Sequence, residues 1–278
     1  MKRMRILAVC IVTALAMSAV AATSALAFKE EAPEVGRCLK LTGGRFKEGN
    51  CKVEGTTSKQ QKYEWYPAFG PNKKGEEQTI EPALRFYKAE SKESTIIQLQ
   101  TVTGETVKCK KQTSEGEYTG PKTNRAFDVV FTGCETAGII CLSTNPKAKN
   151  PGEILVKELD GEIGIEKLGA TAAKDKIANV FKPASGEIFT EFECAGLKLV
   201  VKGEVMVPID SNKMFTTATV KFTATKGKQK PEKFATDPAG TKRVLFAKNS
   251  KLEEYFQAGQ TLTTIQTDMV KAEASSVS

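Results

Sequence analysis

The chain has 278 residues, with 41 lysines and arginines against 33 aspartates and glutamates, seven cysteines, one tryptophan and no histidine. Without histidine it cannot form a Ser-His-Asp or Cys-His catalytic pair, and it lacks the side chain that ordinarily titrates near neutral pH. Its length suits one large or two smaller domains, and 27% charged with 7% aromatic residues is typical of a folded chain. The composition therefore excludes the commonest hydrolytic mechanisms and indicates a globular protein.

The first 27 residues have the features of a secretory signal peptide. Basic residues at positions 2–5 precede an apolar run over residues 6–20, and Ala25-Leu26-Ala27 supplies small residues for cleavage. The run of about 15 apolar residues is shorter than the ~20 that span a bilayer, which favours cleavage over an uncleaved anchor. Cys10 follows the bulky Val9, so we expect no lipid anchor. We expect cleavage near Ala27 and a mature chain that is extracellular or in the cell envelope, without an integral membrane segment.

Cleavage would remove three basic residues and no acidic ones, so the net charge would fall from +8 to +5. Most of the basic residues are lysines, whereas bidentate phosphate contacts favour arginine. A small basic excess without an aromatic and arginine-rich groove does not favour nucleic-acid binding. We therefore expect no nucleic-acid partner.

The mature chain keeps six cysteines: Cys38, Cys51, Cys109, Cys134, Cys141 and Cys194. An even number in an exported chain predicts disulfides, and six cysteines allow 15 pairings. Short separations favour Cys38–Cys51 and Cys134–Cys141, which leaves Cys109–Cys194 as a long-range bridge. No Cys-x-x-Cys pair occurs, so the spacing favours disulfides over a zinc or redox site. We expect no metal and no other cofactor.

Beyond an acidic leader over residues 28–35, the chain consists mainly of predicted strands. The clearest predicted hairpin covers residues 153–168, because Asp160-Gly161 suits a two-residue turn between alternating apolar residues. Two more hairpins join residues 95–102 with 106–109 and residues 188–194 with 197–202. The other predicted strands cover residues 84–88, 126–132, 176–181, 204–207, 216–225, 243–247 and 262–270, and residues 250–257 have helical periodicity.

Many short strands with close turns predict an all-β fold with very little helix, either an antiparallel sandwich or two stacked β lobes stapled by disulfides. The polar segment 143–152, which contains two prolines, separates an N-terminal β lobe (36–145) from a C-terminal β lobe (152–270). A flexible tail over residues 271–278 would follow. The sequence leaves open whether the halves are two domains or share one sheet.

Five blocks carry cysteines and glycines in a characteristic order and spacing: GRCLKLTGGRFKEGNC (Gly36 to Cys51), YEWYP (Tyr63 to Pro67), VKCKKQTSEGEYTG (Val107 to Gly120), VVFTGCETAGIICLS (Val129 to Ser143) and EFECAGLKLVVKGEV (Glu191 to Val205). Together they resemble a family of uncharacterised exported, disulfide-containing, β-rich proteins that occur as multiple paralogues in some actinobacteria. The resemblance extends from Gly36 to about Val270. It implies an extracellular or envelope location and supplies no catalytic residue.

Paired carboxylates are the catalytic device that the composition leaves most readily available. Glu191 and Glu193 have the same parity on one predicted strand, so their Cα atoms would lie about 6.6 Å apart on one face. That separation is near the range that glycosidases use. Acids in this pattern more often form the solvated face of a strand, and nothing nearby in the sequence would raise the pKa of one of them.

Two further groups are candidates for ligand binding. Tyr63 and Trp65 share one face of a predicted strand, where they would form a stacking platform for sugars if exposed and a core anchor if buried. Three lysines, Lys226, Lys228 and Lys230, lie in a basic turn that could attract cell-wall or other anionic surface polymers. We favour the core interpretation for the aromatic residues and ordinary solvation for the lysines.

The leading hypothesis is a secreted or envelope-associated, non-catalytic β protein that acts as a structural or binding module for an unknown ligand. The alternative is a carboxylate-dependent, glycan-active enzyme that uses Glu191 and Glu193, with Trp65 as a sugar platform. A deep cleft that contains these acids beside an exposed Trp65 would favour the enzyme. An open face with a buried Trp65 would favour the binding module.

Overall fold

The computed structural model describes residues 34–49, 51, 53–67, 86–170, 174–209, 217–268 and 273–275. The predicted signal peptide, most of the acidic leader and most of the C-terminal tail lie outside these residues. The strands are β1 Glu34–Lys40, β2 Tyr63–Pro67, β3 Phe86–Ser91, β4 Ile97–Thr101, β5 Thr106–Cys109, β6 Lys111–Tyr118, β7 Thr123–Thr132, β8 Glu135–Thr136, β9 Ile139–Ser143, β10 Ile154–Leu155, β11 Leu159–Lys167, β12 Lys176–Pro183, β13 Ile188–Cys194, β14 Leu197–Gly203, β15 Val205–Ile209, β16 Thr217–Thr225, β17 Lys228–Lys230, β18 Leu245–Asn249, β19 Phe256–Asp268 and β20 Glu273–Ser275. The predicted all-β fold is confirmed.

Eight strands form a closed antiparallel ring, which we call the first ring. In ring order they are β3, β6, β7, β11, β12, β15, β16 and β19, and β19 pairs with β3 to close the ring. Side chains alternate between the two faces of a strand, so every second residue points into the ring. Tyr87, Ala126, Leu159, Val205 and Leu262 are buried on this inner face.

A second closed ring has the order β4, β5, β8, β9, β13, β14, β18 and β19, and β19 pairs with β4 to close it. Its inner face carries the buried side chains of Val107, Phe192, Val201 and Leu245. These four residues belong to one hydrophobic cluster with Ala126, Leu159 and Val205 of the first ring. The two rings therefore share a continuous core.

The long strand β19 belongs to both rings and joins them. Its 13 residues, at a rise of about 3.4 Å each, extend over roughly 44 Å. Residues 256–261 pair with β18 and β4 in the second ring, and residues 262–268 pair with β16 and β3 in the first. The rings are thus consecutive along one strand.

The two rings do not correspond to the two halves of the sequence. β7, before the polar segment 143–152, pairs with β10 and β11 after it. Likewise β9 pairs with β13 across the same segment. Of the two arrangements that the sequence left open, the structure has the shared sheet.

The predicted turn at Asp160-Gly161 is wrong, because both residues lie inside the continuous strand β11. Gly161 pairs with β12 on one side and with Asn124 of β7 on the other. A Cβ atom at position 161 would lie 2.3 Å from Oδ1 of Asn124, so the glycine makes room for a buried amide. That Oδ1 accepts hydrogen bonds from the Tyr87 hydroxyl at 3.3 Å and from Nδ2 of Asn179 at 3.2 Å.

The hairpins predicted over residues 95–109 and 188–202 are confirmed as β4–β5 and β13–β14. Ala195 and Gly196 both have positive φ angles, 53° and 73°, as a two-residue hairpin turn of this type requires. The helical periodicity of residues 250–257 does not correspond to a helix in the structure. The Asn249 side chain accepts a hydrogen bond from the Lys251 amide and starts a turn instead. Phe256 then begins β19, because it pairs with β18.

A separate three-stranded sheet, in the order β2-β1-β20, lies at one end of the first ring. Val35 of β1, at the end of the predicted leader, is buried in a cluster with Tyr87, Tyr118, Ile163 and Ile177 of the first ring. Its backbone N–H donates to the carbonyl of Pro121 at 2.7 Å. β20, which lies in the predicted flexible tail, pairs with β1. The small sheet therefore covers this end of the first ring.

The predicted pairing of the four central cysteines is wrong. The bonds are Cys109–Cys134 and Cys141–Cys194, rather than Cys134–Cys141 and Cys109–Cys194. Cys141 and Cys194 are register partners on the neighbouring strands β9 and β13. The disulfide pairing therefore follows the order of strands in the ring and not the separation of the cysteines in sequence. Cys51 is also disulfide-bonded, and the side chain of its predicted partner Cys38 lies outside the described part of the structure.

Candidate functional site

The first ring encloses a cavity of about 100 Å³ to which all eight of its strands contribute. Its wall is mainly apolar and includes Val129, Leu159, Phe181, Val220 and Phe222. Alternation places these side chains inside, because each belongs to the buried face of its own strand. The cavity therefore arises from the closure of the sheet.

The second ring encloses a cavity of about 80 Å³ with a similar character. Its wall includes Ile97, Leu99, Val107, Phe192 and Leu245. The side chain of Cys109 also lines this cavity and is held by its disulfide to Cys134.

The two cavities adjoin each other. Phe131, Val156, Phe189 and Gln260 line both of them, so these four side chains form a shared wall. Each cavity is smaller than the roughly 150 Å³ of an engineered apolar cavity that binds benzene, so the two separate volumes suit only small apolar guests. A larger molecule would have to displace the side chains of the shared wall.

No described residue in either lining is charged. The first cavity does contain polar side chains, and that of Gln112 is exceptional. Gln112 is 4% exposed, and its Oε1 atom is buried with no hydrogen-bond partner among the described residues. An unsatisfied buried acceptor costs about 1–3 kcal/mol. Gln112 pairs in register with Phe131, so this oxygen belongs to a residue beside the shared wall.

The disulfides close the second ring where its hydrogen bonding is weakest. β8 has two residues, and it meets β5 through the single pair Lys108 and Glu135. Cys109 at the end of β5 is bonded to Cys134, which directly precedes β8. The second disulfide, Cys141–Cys194, joins the neighbouring strands β9 and β13. The two disulfides therefore cross-link the strands on this side of the second ring.

The structure places Glu191 and Glu193 on the outer face of β13, opposite the buried Phe192 and Cys194. Glu191 forms an ion pair with Lys198 of β14, with 2.8 Å between Oε2 and Nζ. Neither acid is among the described lining residues of the two cavities. Glu191 is thus part of a cross-strand ion pair, and Glu193 is exposed on the same face.

Trp65 is 5% exposed in the small sheet, so its ring is not presented to solvent as a sugar platform. Tyr63 on the same strand is half-buried. Between them, Glu64 is 1% exposed, and its carboxylate accepts hydrogen bonds from Nε and the backbone N–H of Arg45 at 2.8 and 3.1 Å. Glu64 and Trp65 are therefore buried although β2 is an edge strand of its sheet.

The three predicted binding lysines lie together on the β16–β17 hairpin and are exposed. Lys226 and Gly227 form its turn with positive φ angles. Gln229, between Lys228 and Lys230, is fully buried, and its Oε1 accepts a hydrogen bond from the backbone N–H of Gln260 at 2.7 Å. Within the described residues, none of the three lysines has an ion-pair partner (the described pairs involve Lys47, Lys88, Lys111, Lys198, Lys202, Lys242 and three arginines).

The sequence did not reveal an open groove of about 620 Å³ near the β4–β5 and β8–β9 turns. Its lining includes Glu105, Lys108 and Glu135. Glu105 accepts hydrogen bonds from the hydroxyls of Thr101 and Thr103 at 2.9 and 2.8 Å, and from Nδ2 of Asn249 at 2.5 Å. This carboxylate therefore organises the β4–β5 turn.

Shifted pKa values occur away from the described linings of the cavities. Hydrogen bonds from Asn150 and from backbone amides lower the pKa of Glu153, and a hydrogen bond from Thr241 lowers the pKa of Asp237. Partial burial raises the pKa of Glu166. The hydrogen bond to Glu204 raises the pKa of Arg243. These shifts reflect loop and strand anchoring.

In the described part of the chain, no cluster of three or more potential ligands is arranged to hold a metal ion. The same residues include no helix with the length and apolar character needed to cross a membrane. Comparison with known protein families, with curated proteins and with solved structures finds no match. The interior cavities are therefore the feature on which a function is argued.

Proposed function

We propose that this protein is a secreted or envelope-associated, non-catalytic binding module that holds a small apolar molecule inside its two rings. The observation that carries the proposal is the pair of adjoining cavities with uncharged, largely apolar walls. Ligand sites are typically concave and mostly apolar, with a few polar groups that orient the ligand. The resemblance to exported actinobacterial proteins, the predicted signal peptide and the disulfides support the location.

Empty apolar volume is costly to a folded protein. At about 24 cal/mol per Å³, each cavity corresponds to roughly 2 kcal/mol of lost packing. A molecule that fills this space restores dispersion contacts with the wall. Binding would therefore stabilise the fold as well as retain the ligand.

The carboxylate-dependent alternative has less support. Glu191 is paired with Lys198 on an outer face, and Trp65 is buried in a different sheet. This combination matches the expectation for a binding module rather than for a glycan-active cleft.

Xenon is a suitable apolar probe because it occupies dry apolar cavities in proteins, and NMR chemical-shift titration under xenon pressure is the readout. We expect saturable binding to the mature, oxidised protein. The substitution Val156→Phe fills the shared wall and should abolish binding, whereas Val53→Phe, at a residue 40% exposed, should not. Val156→Ala enlarges the same position and is a second test if the larger side chain prevents folding. Absence of binding to the folded wild-type protein would refute the proposal.

The lysine hairpin supports a second role, in attachment to cell-wall or other anionic surface polymers. Its three exposed lysines, which have no ion-pair partner in the part of the chain that the structure describes, form a local positive surface. Replacing all three with glutamine should weaken sedimentation with cell-wall fractions at low salt. A matched control replaces three exposed lysines elsewhere: Lys147, Lys149 and Lys157. Equal loss in both triple variants would show that net charge, and not this hairpin, is responsible.

A further inference from the structure

The four central cysteines form a single row across the second ring. They lie in or directly before four consecutive strands of the ring, β5, β8, β9 and β13, and their order in the row is Cys109, Cys134, Cys141 and Cys194. The two disulfides join the first cysteine to the second and the third to the fourth. The row therefore contains a middle pair of neighbours that are not bonded to each other.

The middle pair, Cys134 and Cys141, is positioned for a bond of its own. Glu135 pairs in register with Ile140, so the two cysteines are the next residues to face each other. The backbone N–H of Cys141 donates to the carbonyl of Cys134 at 2.9 Å. Residues in such a hydrogen-bonded pair have Cα atoms about 5.5 Å apart, within the ~4.4–6.8 Å that disulfides usually span. Both side chains are buried and opposed residues share one face of the sheet, so the backbone permits a Cys134–Cys141 bond without moving a strand.

Cys109 is the sulfur in the row that a reagent from solvent reaches. It is partly exposed, whereas the other three cysteines are at most 1% exposed. Its neighbours in sequence, Lys108 and Lys110, are exposed cations that attract a thiolate anion. β5 and β8 share a single register pair, so little pairing has to break for this seam to open locally. Thiol–disulfide exchange begins when a thiolate attacks a disulfide sulfur that it can reach, and here that sulfur belongs to Cys109.

We propose that the four cysteines are a disulfide-exchange relay, with Cys109 as the modification site for a low-molecular-weight thiol. The thiolate of the reagent attacks Sγ of Cys109, forms a mixed disulfide and displaces the Cys134 thiolate. That thiolate attacks Sγ of Cys141, forms a new bond with it and displaces Cys194, which takes up the proton that the reagent has lost. Two disulfides and one thiol are present before and after, so the exchange needs no external oxidant or reductant.

The relay changes which strands of the second ring are cross-linked. Before exchange, one disulfide closes the β5–β8 seam and the other closes the β9–β13 seam. After exchange, the bond within the protein joins β8 to β9. Three register pairs still hold β9 to β13, whereas β5 and β8 keep one. The ring therefore opens between β5 and β8, beside the second cavity that Cys109 lines, whatever that cavity holds.

The first test treats the mature, oxidised wild-type protein with reduced glutathione at mildly alkaline pH. Acid stops the exchange, N-ethylmaleimide labels free thiols in denaturant, and digestion with mass spectrometry assigns each cysteine. The expected product carries glutathione on Cys109, maleimide on Cys194 and a Cys134–Cys141 cross-link. If molecules with glutathione on Cys109 keep the Cys141–Cys194 bond, the relay is refuted. Glutathione first on another cysteine of the row, or on none while the protein stays folded, would also refute it.

Two matched variants, each without the Cys109–Cys134 bond, test the internal step with no added thiol. Cys109→Ser leaves Cys134 as a free thiol beside Cys141. We expect maleimide to divide between Cys134 and Cys194, together with a Cys134–Cys141 cross-link. In Cys134→Ser the attacking sulfur is missing, so maleimide should label Cys109 and leave Cys194 protected. Label on Cys134 alone in the first variant, or equal labelling of Cys194 in both, would overturn the relay.

Hydrogen exchange of the glutathione adduct tests the opening itself. Amide exchange in β5 and β8 should become faster than in the untreated protein, and exchange in β13 and β14 should change little, because those strands keep their register pairs. Unchanged exchange in β5 and β8 would refute the opening of the ring.

Discussion

Removal of the Cys141–Cys194 disulfide, by replacing both residues with alanine, should lower the stability of the protein substantially. The bridge closes a separation of 53 residues, for which loop-closure entropy corresponds to about 4 kcal/mol. For a chain of this size, 1 kcal/mol shifts the melting temperature by about 2–4 °C, so we expect a decrease of roughly 8–16 °C. Cys141 and Cys194 are 0% and 1% exposed, which adds a small packing loss.

The assay is differential scanning calorimetry of the oxidised proteins, with urea unfolding as an independent measure. The matched variant replaces Cys109 and Cys134, whose separation of 25 residues corresponds to about 3.5 kcal/mol. Digestion of the non-reduced wild type with trypsin and a glutamate-specific protease verifies the pairing, because cleavage after Glu135 separates Cys134 from Cys141. A decrease of less than 2 °C in the first variant would refute the loop-closure reasoning. A Cys134–Cys141 cross-link in protein never exposed to thiols would refute the pairing on which it rests.

Gly161→Ala should cost about 1–3 kcal/mol in urea unfolding through overpacking against a buried amide, whereas Gly49→Ala, with ordinary contact distances only, should cost much less. Arg45→Ala should destabilise the small sheet by about 2–3 kcal/mol, because it removes the guanidinium that donates to the buried Glu64 carboxylate at 2.8 Å. Faster hydrogen exchange in β2 would show this, and unchanged exchange would contradict it. The pKa of Glu153 is lowered in the folded protein, so its carboxylate stabilises segment 143–152 fully above pH 4.5. This stabilisation is lost as the pH falls through the folded-state pKa. NMR titration should give a midpoint below 4.5 that Glu153→Gln removes.

Local signals predicted the structure well where a turn and its flanking strands are neighbours in sequence. Ala195-Gly196 connects β13 to β14 because both residues adopt positive φ angles and the flanking residues pair directly. An equally strong local signal at Asp160-Gly161 failed. There the glycine leaves room for the side chain of Asn124, which is more than 30 residues away in the chain. Residues 159–162 pair with β7 instead of forming a turn.

The site was less predictable than the strands. Alternation identified which residues of each strand are buried, but it contains no information on whether a sheet closes. Phe131, Val156, Phe189 and Gln260 belong to four separate segments, and only ring closure brings them to the same wall. Gln112 had no sequence signal beyond being a polar residue in a strand, because a missing partner is a property of the folded environment.

The sequence by itself determined the all-β class, most strand positions, the six cysteines after residue 27 and the absence of histidine chemistry. These follow from composition, from the two-residue period of a strand and from turn residues, all of which act over a few positions. The tertiary structure alone decided the two rings joined by β19, the disulfide partners and the adjoining cavities. These depend on pairing and packing between residues far apart in the chain, and the free energy of such contacts is set by the surrounding fold rather than by neighbours in sequence.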